Sequence, residues 1–154
     1  MSAGLSSPPV ALPQAGFSLR RLIGPVVQPR AFALSEPMNV IRLMAGLFYL
    51  PHILFKLNGM AGSMAFFTKA GLVPAPLFLG LALLTESLSF LCLTFGLFTR
   101  WAGLMSAGCM LVAVYATAAT KGLGWTWNTG GVEYLVFWGV ASLMISLHAF
   151  RQQR

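Results

Sequence analysis

The chain has 154 residues, of which 57% are hydrophobic and 8% are charged. Soluble domains carry about 25% charged residues, so this composition excludes an ordinary soluble protein and indicates one membrane domain of a few spans. The net charge of +7 would suit nucleic acid, but the basic residues are scattered at the ends of apolar runs, as in membrane topology signals. We therefore expect the lipid bilayer as a partner and no nucleic acid.

Residues 1–37 differ in composition from the rest of the chain. They are rich in Ser, Pro, Gly and Ala and contain Arg20, Arg21 and Arg30. No apolar segment of secretory type follows an early basic cluster, so a cleaved signal peptide is not expected. This composition predicts a disordered or interfacial N-terminal extension, followed by a membrane domain over residues 38–151.

The first predicted span covers residues 38–57, since about 20 apolar residues of helix cross the hydrocarbon core. Pro51 lies inside this span and removes one backbone donor, so we expect a kink near Leu47–Pro51. A connector with glycines and prolines follows, and its centre is amphipathic enough to form a short helix at the membrane interface.

Four polar residues of the first span fall on one stripe of a helix. They are Arg42, Tyr49, His52 and Lys56. Lipid penalises such a stripe, so it should face the interior of the bundle. Arg42 and Lys56 lie near the two ends of the span, where snorkelling to lipid headgroups is an equally good explanation. His52 lies deeper, beside a proline, and is expected in the interior.

Three further apolar runs predict the remaining spans, over residues 77–98, 101–120 and 132–150. Thr99 and Arg100 alone separate the second span from the third, so these two spans should be antiparallel neighbours. The predicted fold is an all-α integral membrane four-helix bundle.

Four spans place both termini on one side of the membrane. The arginines that lie with the termini are Arg20, Arg21, Arg30, Arg100, Arg151 and Arg154, and the lysines opposite are Lys69 and Lys121. The positive-inside rule therefore predicts cytoplasmic N- and C-termini, with Arg100 acting as a topology residue.

Glu86 lies in the middle of the second span, where an acid costs on the order of 2.5–3.5 kcal/mol. It needs a partner, a proton or a water-filled site. Counting at ~1.5 Å per helical residue places His52 within roughly one turn of it. Together with Glu133, at the start of the last span, these residues predict a cleft in the outer half of the bundle. We expect spans one, two and four to form its walls.

Two interpretations of this cluster stay open. In the structural one, a Glu86–His52 or Glu86–Lys56 pair fixes the register of two helices. In the functional one, the cleft binds a small redox molecule such as a quinone. His52 and Lys56 would donate hydrogen bonds to a quinone carbonyl, while Glu86 or Glu133 passes protons. The aromatic residues expected to stack on the ring are Tyr49, Trp125 and Trp127.

The motifs of other redox sites are missing from the sequence. No G-x-G-x-x-G follows a strand, and no haem or zinc ligand spacing occurs, so we expect no metal and an electron donor on a separate protein. Met60 and Met64 are four residues apart and resemble thioether ligands for Cu(I), but methionine is far more often an apolar filler.

Several short motifs, in order, resemble the DoxX family. They are R-L-x-x-G-L at Arg42–Leu47, H-x-x-x-K at His52–Lys56, G-L at Gly71–Leu72, the mid-helix Glu86, G-L-F-T-R at Gly96–Arg100 and G-G-x-E at Gly130–Glu133. Together they extend over about residues 38–150. Family members often have a glycine directly after the histidine, where this chain has Ile53.

The resemblance implies a small four-helix protein of the bacterial inner membrane. The family's namesakes resemble the small subunit of a thiosulfate:quinone oxidoreductase, and other members accompany membrane-associated redox and thiol-stress systems. It therefore implies a quinone-linked accessory subunit that works with other membrane or redox proteins. The alternatives are a non-catalytic scaffold or assembly subunit and a small-solute transporter. Four short spans would need a homo-oligomer to form such a transporter.

Overall fold

The computed structural model describes residues 23–152. Within that range the chain is helical, and the β-structure is one isolated bridge between Val27 and Leu97. The helices are α1 (Pro37–Leu47), α2 (Tyr49–Asn58), α3 (Met60–Lys69), α4 (Ala75–Phe95), α5 (Thr99–Lys121) and α6 (Glu133–Arg151), with a 3₁₀ turn at Trp127–Thr129.

Four segments of the described chain are long and apolar enough to span a membrane. They are Pro37–Asn58, which joins α1 and α2, and then α4, α5 and α6. Their lengths of 19 to 23 residues correspond to about 30 Å of helix, the thickness of the hydrocarbon core. The all-helical class and the four spans are confirmed, and the span ends differ from the predicted ones by at most three residues.

The first span is interrupted at Phe48, between α1 and α2. Pro51 has no amide hydrogen, so the carbonyl of Leu47 lacks the donor it would have in a continuous helix. The interruption therefore falls where the predicted kink lies.

The turn between α4 and α5 is formed by Gly96–Phe98, and the prediction that Thr99 and Arg100 form it is wrong. Gly96 ends α4 with a φ of 68°, in the left-handed region. A side chain there would also place its Cβ 2.8 Å from the Cβ of Ala31. Thr99 and Arg100 already belong to the first turn of α5. A glycine just past the last apolar residue is a common helix stop.

Residues 23–36, which we call the strap, pack across this turn. The Gln28 amide donates to the Gly96 carbonyl at 2.8 Å, and the Phe98 amide donates to the Val26 carbonyl at 2.8 Å. The strap is therefore not disordered, because its backbone hydrogen-bonds with that of the turn. The interfacial position of the extension stays a prediction. Residues 1–22 of the predicted extension lie outside the described residues.

The strap and the last residues of α6 lie at the same end of the bundle. The ring of Trp101, at the start of α5, is 5.8 Å from the ring of Phe150, and its Nε1 donates to the carbonyl of Ile23 at 3.2 Å. We call this the terminal end, and the other the opposite end. The cytoplasmic location of the terminal end stays a prediction of the positive-inside rule.

Helices α5 and α6 form the most closely packed pair. A Cβ on Gly103 would come within 2.7 Å of the Ser142 carbonyl oxygen and 2.8 Å of the Ser146 Cβ, so glycine is needed at this contact. Ser106 and Ser142 are fully buried with their Oγ atoms 2.7 Å apart. The hydroxyl of Tyr49 lies 2.7 Å from the Ser106 Oγ and ties α2 to the same pair.

Candidate functional site

Glu86 on α4 and Lys56 on α2 form a largely buried ion pair. Lys56 Nζ donates to Glu86 Oε1 at 2.7 Å and to Oε2 at 2.9 Å. The lysine and glutamate side chains are 18% and 9% exposed. Of the two partners that the sequence suggested for the mid-span carboxylate, Lys56 is the one in contact.

His52 lies on the surface of α2, and the prediction that it faces the interior is wrong. Tyr49 and Ile53 occupy the buried positions of this helix, whereas His52 is exposed. Its ring packs 5.5 Å from the ring of Trp138 and 6.5 Å from that of Tyr134, measured between centroids. His52 therefore contacts the aromatic surface of α6.

A cavity of about 980 Å³, the ion-pair cavity, lies beside Lys56 and Glu86. Small-molecule sites usually measure about 300–1,000 Å³. Helices α2, α3, α4 and α5 form its wall, and within the described chain α6 contributes just Leu135. A cleft beside Glu86 is present, but the prediction that span four forms one wall is wrong. Span four (α6) packs closely against α5. Span three (α5) and the connector helix α3 therefore take its place in the wall, beside α2 and α4.

The ion-pair cavity is partly open towards the surface of the bundle. Leu81 on α4 and Val112 on α5 both line the cavity and are 46% and 50% exposed. Both residues belong to candidate membrane spans. In a bilayer these two wall residues face hydrocarbon rather than water.

Ser63 on α3 is a wall residue that the sequence did not single out. It is 7% exposed, and its Oγ has no hydrogen-bond partner within the described part of the chain. Buried hydroxyls are normally paired, so this one is available to a bound molecule. The stretch of small residues around it, including Gly59 and Gly62, was the signal that a helix here leaves room for a ligand.

Trp125, Trp127 and Glu133 do not join the ion-pair cavity. They lie in a second cavity of about 690 Å³ at the opposite end of the bundle. The Glu133 amide donates to the Trp125 carbonyl at 3.0 Å, so the loop before α6 folds back on the first turn of that helix. The prediction that Glu133 and Glu86 share one cleft is wrong for this reason.

Tyr49 lies in the wall of neither cavity. It is completely buried, its hydroxyl is paired with Ser106, and its ring packs 4.6 Å from that of Trp138. Trp138 is 4% exposed and contacts both Tyr49 and His52. The structure therefore places Tyr49 in the core, away from any stacking position in a cavity.

Arg42 and Arg100 are both buried. Arg42 is 1% exposed and donates to the carbonyls of Ala31, in the strap, and Leu93, in the last turn of α4. The guanidinium group pairs with carbonyls that have no partner at the end of a helix. Of the two explanations for Arg42, a position in the bundle interior is therefore confirmed over snorkelling to lipid headgroups. Arg100 is 6% exposed and its guanidinium carbon lies 4.9 Å from the Phe150 ring centroid.

No cluster of three or more His, Cys, Asp or Glu that could hold a metal ion occurs in residues 23–152. Glu86 has Lys56 as its close charged partner instead. The cavity wall offers hydrogen bonding and proton exchange at this ion pair, and it also contains His52, Ser63 and the Cys109 thiol.

The family model described as DoxX matches residues 38–119. The chain belongs to the DoxX family. All lining residues of the ion-pair cavity other than Lys121 and Leu135 lie in the matched DoxX region. The G-G-x-E motif of Gly130–Glu133 and the second cavity lie outside it. No curated protein and no solved structure matches the chain.

Proposed function

We propose that this multi-pass DoxX protein is a membrane redox-accessory subunit that binds a quinone in the ion-pair cavity. The observation that carries this proposal is a large, partly open apolar cavity with a largely buried ion pair in its wall. A quinone has an apolar ring and tail with two carbonyl acceptors. Such a molecule suits a mostly apolar site with a few polar groups.

Lys56 is the proposed donor to one carbonyl. An ammonium group has three N–H donors, and two of them are directed at the carboxylate oxygens of Glu86. The third is left for a ligand. Ser63 is the proposed second donor, because its buried hydroxyl has no partner among residues 23–152. The two carbonyls of the quinone would then accept hydrogen bonds from side chains of α2 and α3.

Glu86 and His52 are the proposed proton-handling groups. Glu86 keeps Lys56 oriented towards the cavity, and among the described residues its carboxylate is the one acid of the wall. His52 lies on the same wall, and its imidazole is the group proposed to pass protons between the cavity and its surroundings. A bound quinone supplies reversible uptake of electrons and protons. The electrons are proposed to come from a separate protein subunit in the membrane of a bacterial cell.

The proposal is tested by titrating the full-length protein in lipid nanodiscs with a short-tailed quinone and following tryptophan quenching. We expect saturable binding that Lys56→Met weakens by about tenfold or more, since a hydrogen bond from a charged donor is worth roughly 1.5–3 kcal/mol. Lys69→Met is the matched control. Lys69 is an exposed lysine at the end of α3 outside the cavity wall, so its replacement should leave binding unchanged.

Unsaturable quenching, or equal affinities of Lys56→Met and the wild-type protein, would contradict quinone binding at this site. Glu86→Gln gives a second measure: if the purified variant binds quinone normally and supports the redox activity of its native membranes, Glu86 has no part in the function.

A non-catalytic scaffold is the second candidate function, and the ion pair favours it as well. Lys56 and Glu86 join α2 to α4, and a buried pair can serve helix register alone. Deleting residues 1–22 keeps the strap and its contact with Arg42. If the protein is a scaffold that docks through its N-terminal extension, this deletion releases a partner in a pull-down from native membranes. A complex that survives the deletion argues against that role.

A further inference from the structure

The second cavity has an unusual lining for a site near the end of a membrane bundle. As far as the chain is described, four aromatic side chains and one carboxylate form its wall. They are Trp125, Trp127, Tyr134, Phe137 and Glu133. With a volume of about 690 Å³, the cavity falls within the ordinary range of small-molecule sites.

Backbone contacts hold the loop that carries the two tryptophans, whose side chains are 64% and 66% exposed. The Val132 amide donates to the Gly124 carbonyl at 3.0 Å, beside the bond from Glu133 to Trp125. Gly131 lies so close to this loop that a Cβ on it would come within 2.5 Å of the Trp125 carbonyl oxygen. The backbone that carries the aromatic wall is thus preorganised, which lowers part of the entropy cost of binding.

Glu133 supplies a negative charge to this wall. It is the first residue of α6, and the N-terminus of a helix favours an ionised carboxylate. The ammonium group of Lys121 lies beside Gly130, three residues before Glu133. Among residues 23–152, however, no cationic side chain forms an ion pair with Glu133 within 4 Å. The carboxylate of Glu133 shares its cavity wall with four aromatic rings.

We propose that the second cavity binds an organic ammonium cation. Aromatic faces attract cations and accommodate their N-alkyl groups, and Glu133 provides the counter-charge. A hard metal ion does not suit this site, because the described wall offers just one carboxylate and the phenol oxygen of Tyr134, whereas such ions take about six or more oxygen ligands. A neutral apolar ligand would leave the charge of Glu133 unused. Such an ammonium group is present both in some lipid headgroups and in free alkylammonium compounds.

Choline is the probe, and full-length protein in phosphatidylglycerol nanodiscs, which contain no ammonium, is the sample. We expect saturable tryptophan fluorescence changes with choline and none with its uncharged tert-butyl analogue, in which carbon replaces nitrogen. Glu133→Gln should weaken choline binding by about fivefold or more. Glu36→Gln is the matched control, because Glu36 is an exposed acid just before α1, outside the cavity.

A second titration in phosphatidylcholine nanodiscs identifies the source of the cation. Loss of the choline response there supports a lipid headgroup as the occupant, and an unchanged response supports a soluble cation. Equal responses to choline and its uncharged analogue, no response in phosphatidylglycerol, or wild-type affinity in Glu133→Gln overturns the proposal. Because the two cavities share no lining residue, these outcomes are independent of quinone binding at Lys56.

Discussion

Replacing Lys56 with methionine removes the charged partner of Glu86 and leaves a carboxylate that is 9% exposed. At the 2.7 Å separation of Nζ and Oε1, the gross attraction is about 6 kcal/mol for an effective dielectric constant of about 20. Desolvation of both groups offsets much of this attraction. Loss of one partner, however, leaves the other charge buried alone, so we expect Lys56→Met to lower the free energy of unfolding by about 3 kcal/mol.

Glu86→Gln should cost less, about 1–2 kcal/mol, because Lys56 is 18% exposed and its long stem can carry the charge towards water. The double variant Lys56→Met/Glu86→Gln contains no unpaired charge. Its stability should return to within about 1 kcal/mol of the wild-type protein.

Reversible unfolding in mixed micelles of neutral detergent and dodecyl sulfate, followed by circular dichroism, measures these differences. Lys69→Met is the control and should change stability by less than about 0.5 kcal/mol, as is usual for an exposed side chain. Wild-type stability in Lys56→Met, or a double variant less stable than Lys56→Met, would refute the reasoning. A double variant that is stable but binds no quinone would show that the pair does more than fix register.

Substitutions at three further positions, two of them with a comparison variant, test the packing of the bundle by the same unfolding measurement. Gly103→Ala should cost about 2 kcal/mol, because its Cβ meets a backbone oxygen at 2.7 Å, whereas Gly80→Ala has no atom within 4 Å and should be neutral or slightly stabilising. Arg42→Met should cost about 3 kcal/mol by leaving buried carbonyls unpaired, and Arg42→Lys should recover less than half, since lysine lacks the guanidinium fork. Ser106→Ala should cost about 1–2 kcal/mol, because the buried hydroxyl of Tyr49 then loses its partner; no loss would show that water replaces it.

The sequence predicts the four spans and the need of Glu86 for a partner well, because both follow from the cost of polar groups in hydrocarbon. It predicts the orientation of His52 poorly. Three residues of helix turn through about 300°, so His52 lies roughly 60° away from Tyr49. The buried face is centred between Tyr49 and Ile53, which leaves His52 at its edge.

The other errors come from backbone contacts, which leave little trace in side-chain patterns. The strap resembles an extension because its partners, Gly96 and Phe98, are about seventy residues away in the chain. The loop at Trp125 folds back through main-chain hydrogen bonds to Glu133. Which spans enclose the ion-pair cavity likewise depends on the close pairing of α5 with α6, and local periodicity does not specify which helices pair.

The exposure of the wall residues Leu81 and Val112 towards hydrocarbon also decides which concentration governs occupancy of the ion-pair cavity. An apolar ligand that enters from hydrocarbon is in equilibrium with the ligand dissolved in the bilayer, so its mole fraction in lipid sets the occupied fraction. At constant total ligand, adding empty lipid dilutes it and empties the site. Dissociation constants from samples of different lipid content will therefore agree once the ligand concentration is expressed as its mole fraction in the lipid.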